Sequence, residues 1–248
     1  MSGHSKWATI KRAKGAKDAA RGKLFSQLIK EITVAARHGG GDLSGNARLR
    51  LVVDKAKASN MPSDNIKRAI QRGTGEIEGV AYEENTYEGY GPGGVAFLVE
   101  VITDNKNRVV AEIRHVFSKY NGNMAESGAV SWKFSRKGSI VVPKKYSEDD
   151  LLLIVLDAGG EDLSVEDDAF IITTGPAEFE AVKKALEDNK IEMTEAELQM
   201  MPQNTIKVEG KEAESVIRML EAFEEHDDVQ NVYADFDIDA NVMESMNG

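Results

Sequence analysis

The stretch from residue 139 to residue 174, SIVVPKKYSEDDLLLIVLDAGGEDLSVEDDAFIITT, contains the periodicity that decides the fold. Short runs rich in β-branched residues flank an apolar run of helical length, and the alternation continues to residue 201. The predicted elements are strand 139–142, helix 148–158, strand 162–166, strand 169–174, helix 177–188 and strand 195–201. This βαββαβ order is the split-βαβ, or ferredoxin-like, arrangement, and it predicts a compact α+β domain over residues 135–203.

Incomplete α+β segments lie on both sides of this domain. Upstream, GGVAFLVEVITD (93–104) has strand composition, an apolar stripe over 109–120 predicts a helix, and AVSWKF (129–134) alternates as a strand does. Downstream, the patterns predict strand 205–209, helix 211–225 and strand 229–238. Neither flank contains a complete sheet. We therefore predict one discontinuous α+β domain, residues 76–134 and 204–240, into which the ferredoxin-like domain is inserted.

Residues 1–75 have a different texture, because they contain helical patterns only. An apolar stripe begins at Leu24 and ends at the glycines 39–41, and a second helix follows from Asn46 to Ser59. A third helix begins at Ser63, the predicted N-cap, and ends at Gly73. The fold class is therefore α+β and multidomain, with a three-helix bundle and a basic N-terminal arm preceding two α+β domains.

Charge is segregated along the chain. Residues 1–75 hold 16 Lys and Arg against 5 Asp and Glu, a net charge of +11, whereas the whole chain has a formal net charge of −11. A basic end joined to acidic domains indicates a nucleic-acid partner for that end. No apolar run approaches the roughly 20 residues needed to span a membrane. The absence of cysteine excludes disulfides and thiolate metal sites, and it favours a cytoplasmic location.

Motifs of enzymes and cofactor-binding proteins are missing or lack their context. GYGPGG (89–94) matches G-x-G-x-x-G, but a strand follows it rather than a helix, so it predicts a tight turn and not a dinucleotide site. None of the four histidines belongs to a recognisable metal signature, although a His–carboxylate site assembled in space stays open. Acidic runs such as EEHDDVQ (224–230) are typical of solvated caps. We therefore expect no enzyme activity and no cofactor or metal.

The basic domain carries the candidate binding residues. Lys11, Lys14, Lys17 and Arg21 fall at spacings of three, three and four, so a helix would align them along one side. Such an array suits a line of phosphates. Trp7 is suited either to stack on an exposed base or to cover a small apolar patch. The predicted nucleic-acid-binding residues are Lys6, Trp7, Lys11, Arg12, Lys14, Lys17, Arg21, Lys23, Arg48, Arg50, Lys67, Arg68 and Arg72.

Seven blocks in order along the chain resemble the YebC/PmpR family. They are GHSKWATIK, RGKLFSQLIKEI, GGGDLSGNARLR, NMPSDNIKRAIQRGTGE, YEGYGPGGVAFLVE, TDNKNR with RHVFSKYNGN, and FSRKG. The resemblance extends from residue 2 to about residue 240. It implies a helical bundle plus two α+β domains, one of them ferredoxin-like and inserted in the other. The resemblance also implies a transcriptional regulator. Mitochondrial relatives of the same family are described as translational activators.

Three functions follow as hypotheses. The first is a transcriptional regulator that binds duplex DNA through the basic domain, with 46–73 as a helix-turn-helix-like element or a plain helix pair. The second is a translation factor that binds ribosomal RNA or the ribosome, for which sequence-independent contacts are sufficient. The third is a non-catalytic interaction scaffold, which predicts that deletion of residues 1–23 leaves binding intact. The expected partner is thus a nucleic acid and not a membrane.

Overall fold

A computed structural model describes residues 19–166, 169–239 and 242 of the 248-residue chain. Its first part consists of three helices, α1 (Ala19–Gly39), α2 (Ala47–Ala58) and α3 (Ser63–Thr74). Asn46 caps α2 by accepting the backbone N–H of Leu49, at 3.0 Å. Pro62, not Ser63, is the N-cap of α3, and Ser63 forms its first residue without a side-chain cap. Proline suits that boundary because its own backbone has no N–H to satisfy.

The helices of this bundle pack through apolar stripes that the periodicity predicted. Leu28, Ile32, Leu49 and Val53 are all buried in one core cluster. α1 and α3 approach each other very closely at Gly73, where an added Cβ would lie only 2.4 Å from the Thr33 carbonyl oxygen. The Thr33 hydroxyl at this crossing donates to the carbonyl of Ile29, at 2.7 Å, within its own helix.

The discontinuous α+β domain is built on a four-stranded sheet with the order β3-β1-β2-β9. Its strands are β1 (Glu83–Tyr90), β2 (Ala96–Thr103), β3 (Asn123–Met124) and β9 (Val229–Ala234). Helices α4 (Lys106–Lys119) and α7 (Gly210–Glu224) share a buried core with one face of this sheet. Phe97, Phe117 and Phe223 meet at its centre, with ring centroids 4.9–6.2 Å apart. A short parallel pair, β8 (Ile206–Lys207) and β10 (Phe236–Asp237), completes the domain.

The inserted domain is ferredoxin-like, as predicted. Its elements follow the order β4 (Phe134–Pro143), α5 (Glu148–Asp157), β5 (Gly160–Val165), β6 (Ala169–Thr174), α6 (Phe179–Asp188) and β7 (Glu195–Pro202). They form one antiparallel sheet with the strand order β5-β6-β4-β7. Ile140, Ile172, Leu151 and Phe179 are fully buried in it. Residues 133–203 form one compact unit, and the rest of the described chain forms another.

Three local features differ from the sequence prediction or extend it. Residues 129–134 do not form a strand, because a 3-10 turn occupies Ser131–Lys133 and β4 begins only at Phe134. β1 was not predicted, since Glu83–Tyr90 is polar and carries little alternation. The glycine-rich turn is confirmed, because Gly91 donates to the carbonyl of Val95 at 2.8 Å between the antiparallel strands β1 and β2.

None of the helices described is both long and apolar enough to cross a bilayer.

Candidate nucleic-acid interface

The predicted nucleic-acid-binding residues divide into two groups. Lys6, Trp7, Lys11, Arg12, Lys14 and Lys17 lie outside the described residues, so their role stays a prediction. Arg21, Lys23, Arg48, Arg50, Lys67, Arg68 and Arg72 are described, and they lie on α1, α2 and α3. Their surroundings differ: some of these cations already have intramolecular partners, and others face solvent.

α3 carries the cations that face solvent. Ile66, Ala69 and Gly73 form its buried side, which packs in the helical bundle. The helical period therefore places Lys67, Arg68 and Arg72 on the outer side, and all three are exposed. None of them pairs with a carboxylate in the part of the chain that the structure describes. Asp64 in the first turn is the one acidic residue of α3, so its outer face carries a net positive charge.

The two arginines of α2 are already engaged within the protein. Arg48 forms a two-pronged pair with the carboxylate of Glu84, with Nη1 and Oε2 3.0 Å apart. The hydrogen bond from Arg48 lowers the pKa of Glu84 and raises the pKa of Arg48 in turn. Arg50 donates through Nη1 to the Leu43 carbonyl, at 2.7 Å. Arg48 thus joins α2 to β1, and Arg50 joins α2 to the loop between α1 and α2. The two guanidinium groups are therefore less available to phosphate than the cationic groups of α3.

Arg21 and Lys23 lie at the start of α1 in contrasting environments. Arg21 is exposed, and its guanidinium carbon lies 5.4 Å from the centroid of the Phe25 ring. Lys23 instead donates through Nζ to the carbonyl of Glu224, at 2.5 Å. That carbonyl belongs to the last turn of α7, where the helix dipole favours a cation. The Lys23 side chain therefore serves in the structure to fix α1 to α7.

Lys23 belongs to a polar stripe along α1 that docks the helix on the α+β domain. The stripe consists of Lys23, Gln27, Lys30 and Arg37, which recur at helical spacing on one side of α1. Gln27 donates to the carbonyl of Val229 at 2.7 Å, and Arg37 donates to the carbonyl of Tyr82 at 3.0 Å. Every partner in this stripe is far away in sequence, so local patterns gave no signal for it.

Lys30 pairs with Asp228, a carboxylate that accepts hydrogen bonds from three side chains where α1 packs on the α+β domain. Its Nζ lies 2.6 Å from Oδ1 of Asp228, a side chain that is 6% exposed. The other oxygen, Oδ2, accepts from Arg108 at 2.5 Å and from the Thr103 hydroxyl at 3.0 Å. Burial raises the pKa of Asp228, but the hydrogen bonds from Lys30 and Arg108 lower the pKa by more than burial raises it. The pKa of Asp228 is therefore below its usual value. The carboxylate therefore stays charged at neutral pH.

His226 and Glu112 lie beside Asp228, and the three form the one group of three possible metal ligands found among the described residues. The His226 Nδ1 accepts the backbone N–H of Asp228 at 3.2 Å, and its Nε2 lies 2.9 Å from Glu112. Both ring nitrogens are thus occupied, and two cations already match the Asp228 charge. The residues do not fit a metal ion, because they form a hydrogen-bonded ion-pair network. The prediction of a solvated cap was therefore wrong for Asp228.

Comparisons with known proteins agree with this architecture. A family model described as the TACO1/YebC protein N-terminal domain matches residues 5–76, and one described as the TACO1/YebC second and third domain matches residues 82–236. Proteins from Geotalea uraniireducens and Geobacter sulfurreducens, each named probable transcriptional regulatory protein, are both 55% identical over 246 residues. Each alignment covers 99% of this chain and 100% of the relative.

A solved structure extends the likeness to three dimensions. It is the crystal structure of a conserved hypothetical protein from Aquifex aeolicus, which matches with a TM-score of 0.82 and 48% sequence identity. The match covers 90% of this chain and 92% of the Aquifex chain. The two family models together extend over most of the sequence and confirm the resemblance carried by the seven motifs. This chain belongs to the TACO1/YebC family.

Proposed function

We propose that this protein is a nucleic-acid-binding regulator that acts by binding rather than catalysis and contacts duplex DNA through its basic N-terminal domain. The observation that carries the proposal is the outer face of α3, where Lys67, Arg68 and Arg72 are exposed without a described carboxylate partner. Three exposed cations on the outer face of one helix, which has a single acidic residue, form the kind of basic surface that a polyanion contacts. The names of the relatives support a regulatory role.

The geometry of α3 suits contact with a polyanion. Its 12 residues make a rod about 18 Å long. The B-DNA major groove is about 12 Å wide and admits an α-helix. α2 precedes α3 across a four-residue connection, residues 59–62, in which Asn60 adopts a φ of 58°. That arrangement is compatible with the helix-turn-helix-like hypothesis for residues 46–73, in which the second helix enters the groove.

The arm would extend the same electrostatic surface. Its predicted contacts, Lys6, Lys11, Arg12, Lys14 and Lys17, precede α1 directly in sequence. Each phosphate neutralised by a lysine or arginine releases condensed counterions, so binding is strong at low salt and weakens as salt rises. Such contacts position a protein without specifying a base sequence. Specificity would then require base contacts from α3 or the shape of the target.

A competition experiment tests the proposal. Labelled protein is offered duplex promoter DNA and purified ribosomes together, at about physiological salt, where nonspecific DNA binding is typically weak, roughly 10⁻⁴–10⁻⁶ M. We expect the protein to stay on DNA and to prefer one sequence. Transfer to ribosomes, with DNA binding that fades as salt rises, would instead support the ribosomal-RNA hypothesis.

Substitution of the α3 cations locates the contact. In Lys67→Gln/Arg68→Gln/Arg72→Gln we expect the slope of log affinity against log salt on duplex DNA to fall by about 2–3, since each lost phosphate contact removes about 0.9. The matched control is Lys106→Gln/Arg114→Gln/Arg218→Gln, which removes three exposed cations from α4 and α7. Equal losses in both variants would show that only net charge matters, and would contradict a binding face on α3.

A further inference from the structure

Trp132 is the most exposed large apolar side chain of the described residues, with 67% of its surface accessible. It lies in the α+β domain, in the short 3-10 turn Ser131–Lys133. A tryptophan that contributed to folding by burial would be covered, because exposing so large a ring forfeits much of its hydrophobic stabilisation. The exposed ring therefore contributes little to the core, and its position suggests a role in binding.

The indole is held in place although it is exposed. Its Nε1 donates to the carbonyl of Ala129 at 3.0 Å, and the hydroxyl of Tyr90 donates to the same carbonyl at 3.1 Å. One backbone oxygen thus fixes both aromatic side chains. A ring whose orientation is already set loses less conformational entropy when a ligand stacks on it.

The loop that carries the ring is fixed by a buried carboxylate. Glu88 on β1 accepts the backbone N–H groups of Gly128 at 2.8 Å, Val130 at 2.6 Å and Ser131 at 2.8 Å. Glu88 is 5% exposed, and all the partners described for its carboxylate lie in this loop. Burial raises the pKa of Glu88, whereas the three backbone hydrogen bonds lower it to a net value below normal. The charged form is thus the one that holds the loop.

The surroundings of Trp132 suit one planar ligand better than a protein surface. Protein interfaces centre on several apolar side chains packed together. Among the described residues of this compact unit, the other exposed large apolar side chains are Ile77 and Val80, which lie in the segment before β1. The loop residues Glu126, Ser127 and Gly128 that precede the ring are all exposed and offer no apolar neighbour.

The chain around Trp132 is basic within an otherwise acidic region. Residues 127–147 contain five lysines and arginines and no acidic residue, whereas residues 76–248 as a whole carry a net charge of −22. Two of these five, Lys137 and Lys145, pair with glutamates elsewhere in the chain. Lys133 follows the tryptophan directly, and Arg136 comes three residues later. In sequence, cationic residues thus follow the exposed ring directly, and proteins that bind single-stranded nucleic acid use both aromatic rings and cations.

We infer that Trp132 is a stacking platform for an unpaired nucleobase. This inference rests on the proposed function and deepens it, because it names the form of nucleic acid that the α+β domain contacts. Every base offers a flat aromatic face, so stacking is tolerant of sequence. A base inside a duplex has both faces covered by its neighbours. The platform therefore selects single-stranded segments over duplex.

Fluorescence tests this directly, because the chain contains only two tryptophans. In a Trp7→Phe background Trp132 is the single tryptophan, and stacking of a base quenches its emission. We expect quenching by single-stranded oligouridylate and oligodeoxythymidylate, and little quenching by duplex DNA at the same salt. By anisotropy of the labelled single strand, Trp132→Ala in that background should bind about 5- to 100-fold more weakly, with Trp132→Phe between the two.

Controls separate this inference from the proposed function. Val80→Ala, which truncates another exposed apolar side chain, should leave single-strand affinity unchanged. Trp132→Ala should keep its affinity for duplex DNA, whereas the triple variant of α3 should lose it. Unchanged emission at saturating single strand, or capture of a protein that depends on Trp132, would overturn the stacking platform while leaving the α3 face intact. Failure of the parent protein to bind any nucleic acid would overturn both proposals.

Discussion

Asp228 joins α1 to the α+β domain through a single carboxylate, so its neutralisation is the sharpest test at the scale of one residue. In Asp228→Asn, Lys30 and Arg108 lose their common counter-charge at a position that is only 6% exposed. Removing one partner of a buried ion pair costs about 3–5 kcal/mol, and the partial exposure of Arg108 reduces the expected loss to about 2–3 kcal/mol. Chemical denaturation at neutral pH measures it.

The pH dependence of that loss follows from the lowered pKa of Asp228. A carboxylate with a depressed pKa in the folded state stabilises the fold above its unfolded value, about 3.9, and loses the contribution as pH falls through the folded value. The stability difference between parent and Asp228→Asn should therefore be constant near neutrality and shrink below about pH 4. Asp104→Asn, which removes one of the two exposed partners of Arg108, is the control and should cost little. A difference that persists unchanged in acid would contradict the ion-pair network.

At the scale of elements, the crossing of α1 and α3 depends on a missing side chain. A Cβ on Gly73 would lie 2.4 Å from the Thr33 carbonyl oxygen and 2.7 Å from the Ala36 Cβ. Gly73→Ala must therefore push the helices apart, and overpacking of this kind costs about 1–3 kcal/mol. The measurement is the free energy of unfolding.

Gly22→Ala is the matched control, because Gly22 also lies in a helix but an added Cβ meets nothing within 4 Å. Alanine there should be neutral or stabilising by up to about 1 kcal/mol, since it is the better helix former. If both substitutions stabilised the protein alike, the close crossing of the two helices would be wrong.

Elements with a strong local period were predictable from the sequence. The strands and helices of the βαββαβ order in residues 139–201 were among them, because each carries its own apolar pattern. Residues 129–134 were predicted as a strand because AVSWKF alternates, yet Glu88 takes the N–H groups of Val130 and Ser131 that a ladder would need. The partner that decides this structure is more than 40 residues away, so no local pattern could reveal it.

The candidate site shows the same limit. The cations of α3 became candidates because composition alone marks them, and their exposure follows from the helical period. Composition could not distinguish them from Lys23 and Arg48, which have the same chemistry but are bound to Glu224 and Glu84. Trp132 was missed because its alternation predicted a half-buried strand residue. Only the fold shows that its ring is exposed.

At the scale of the whole molecule, the separation of charge predicts which end binds. Replacing Lys6, Lys11, Arg12, Lys14 and Lys17 by Gln keeps the length of the arm but removes five positive charges. If all five contact phosphates, the slope of log affinity against log salt on duplex DNA should fall by about 4.5, more than for the three α3 cations. The acidic remainder would then repel the polyanion without opposition from the arm.

A control that replaces Lys183, Lys184, Lys190, Lys207 and Lys211 by Gln gives the same net charge but leaves the N-terminal domain intact. Its slope should be unchanged, because these lysines lie outside the proposed contact surface and the slope counts only the cations that neutralise phosphates. Equal slopes for parent and arm variant would instead show that the arm does not touch phosphate, as the scaffold hypothesis predicts.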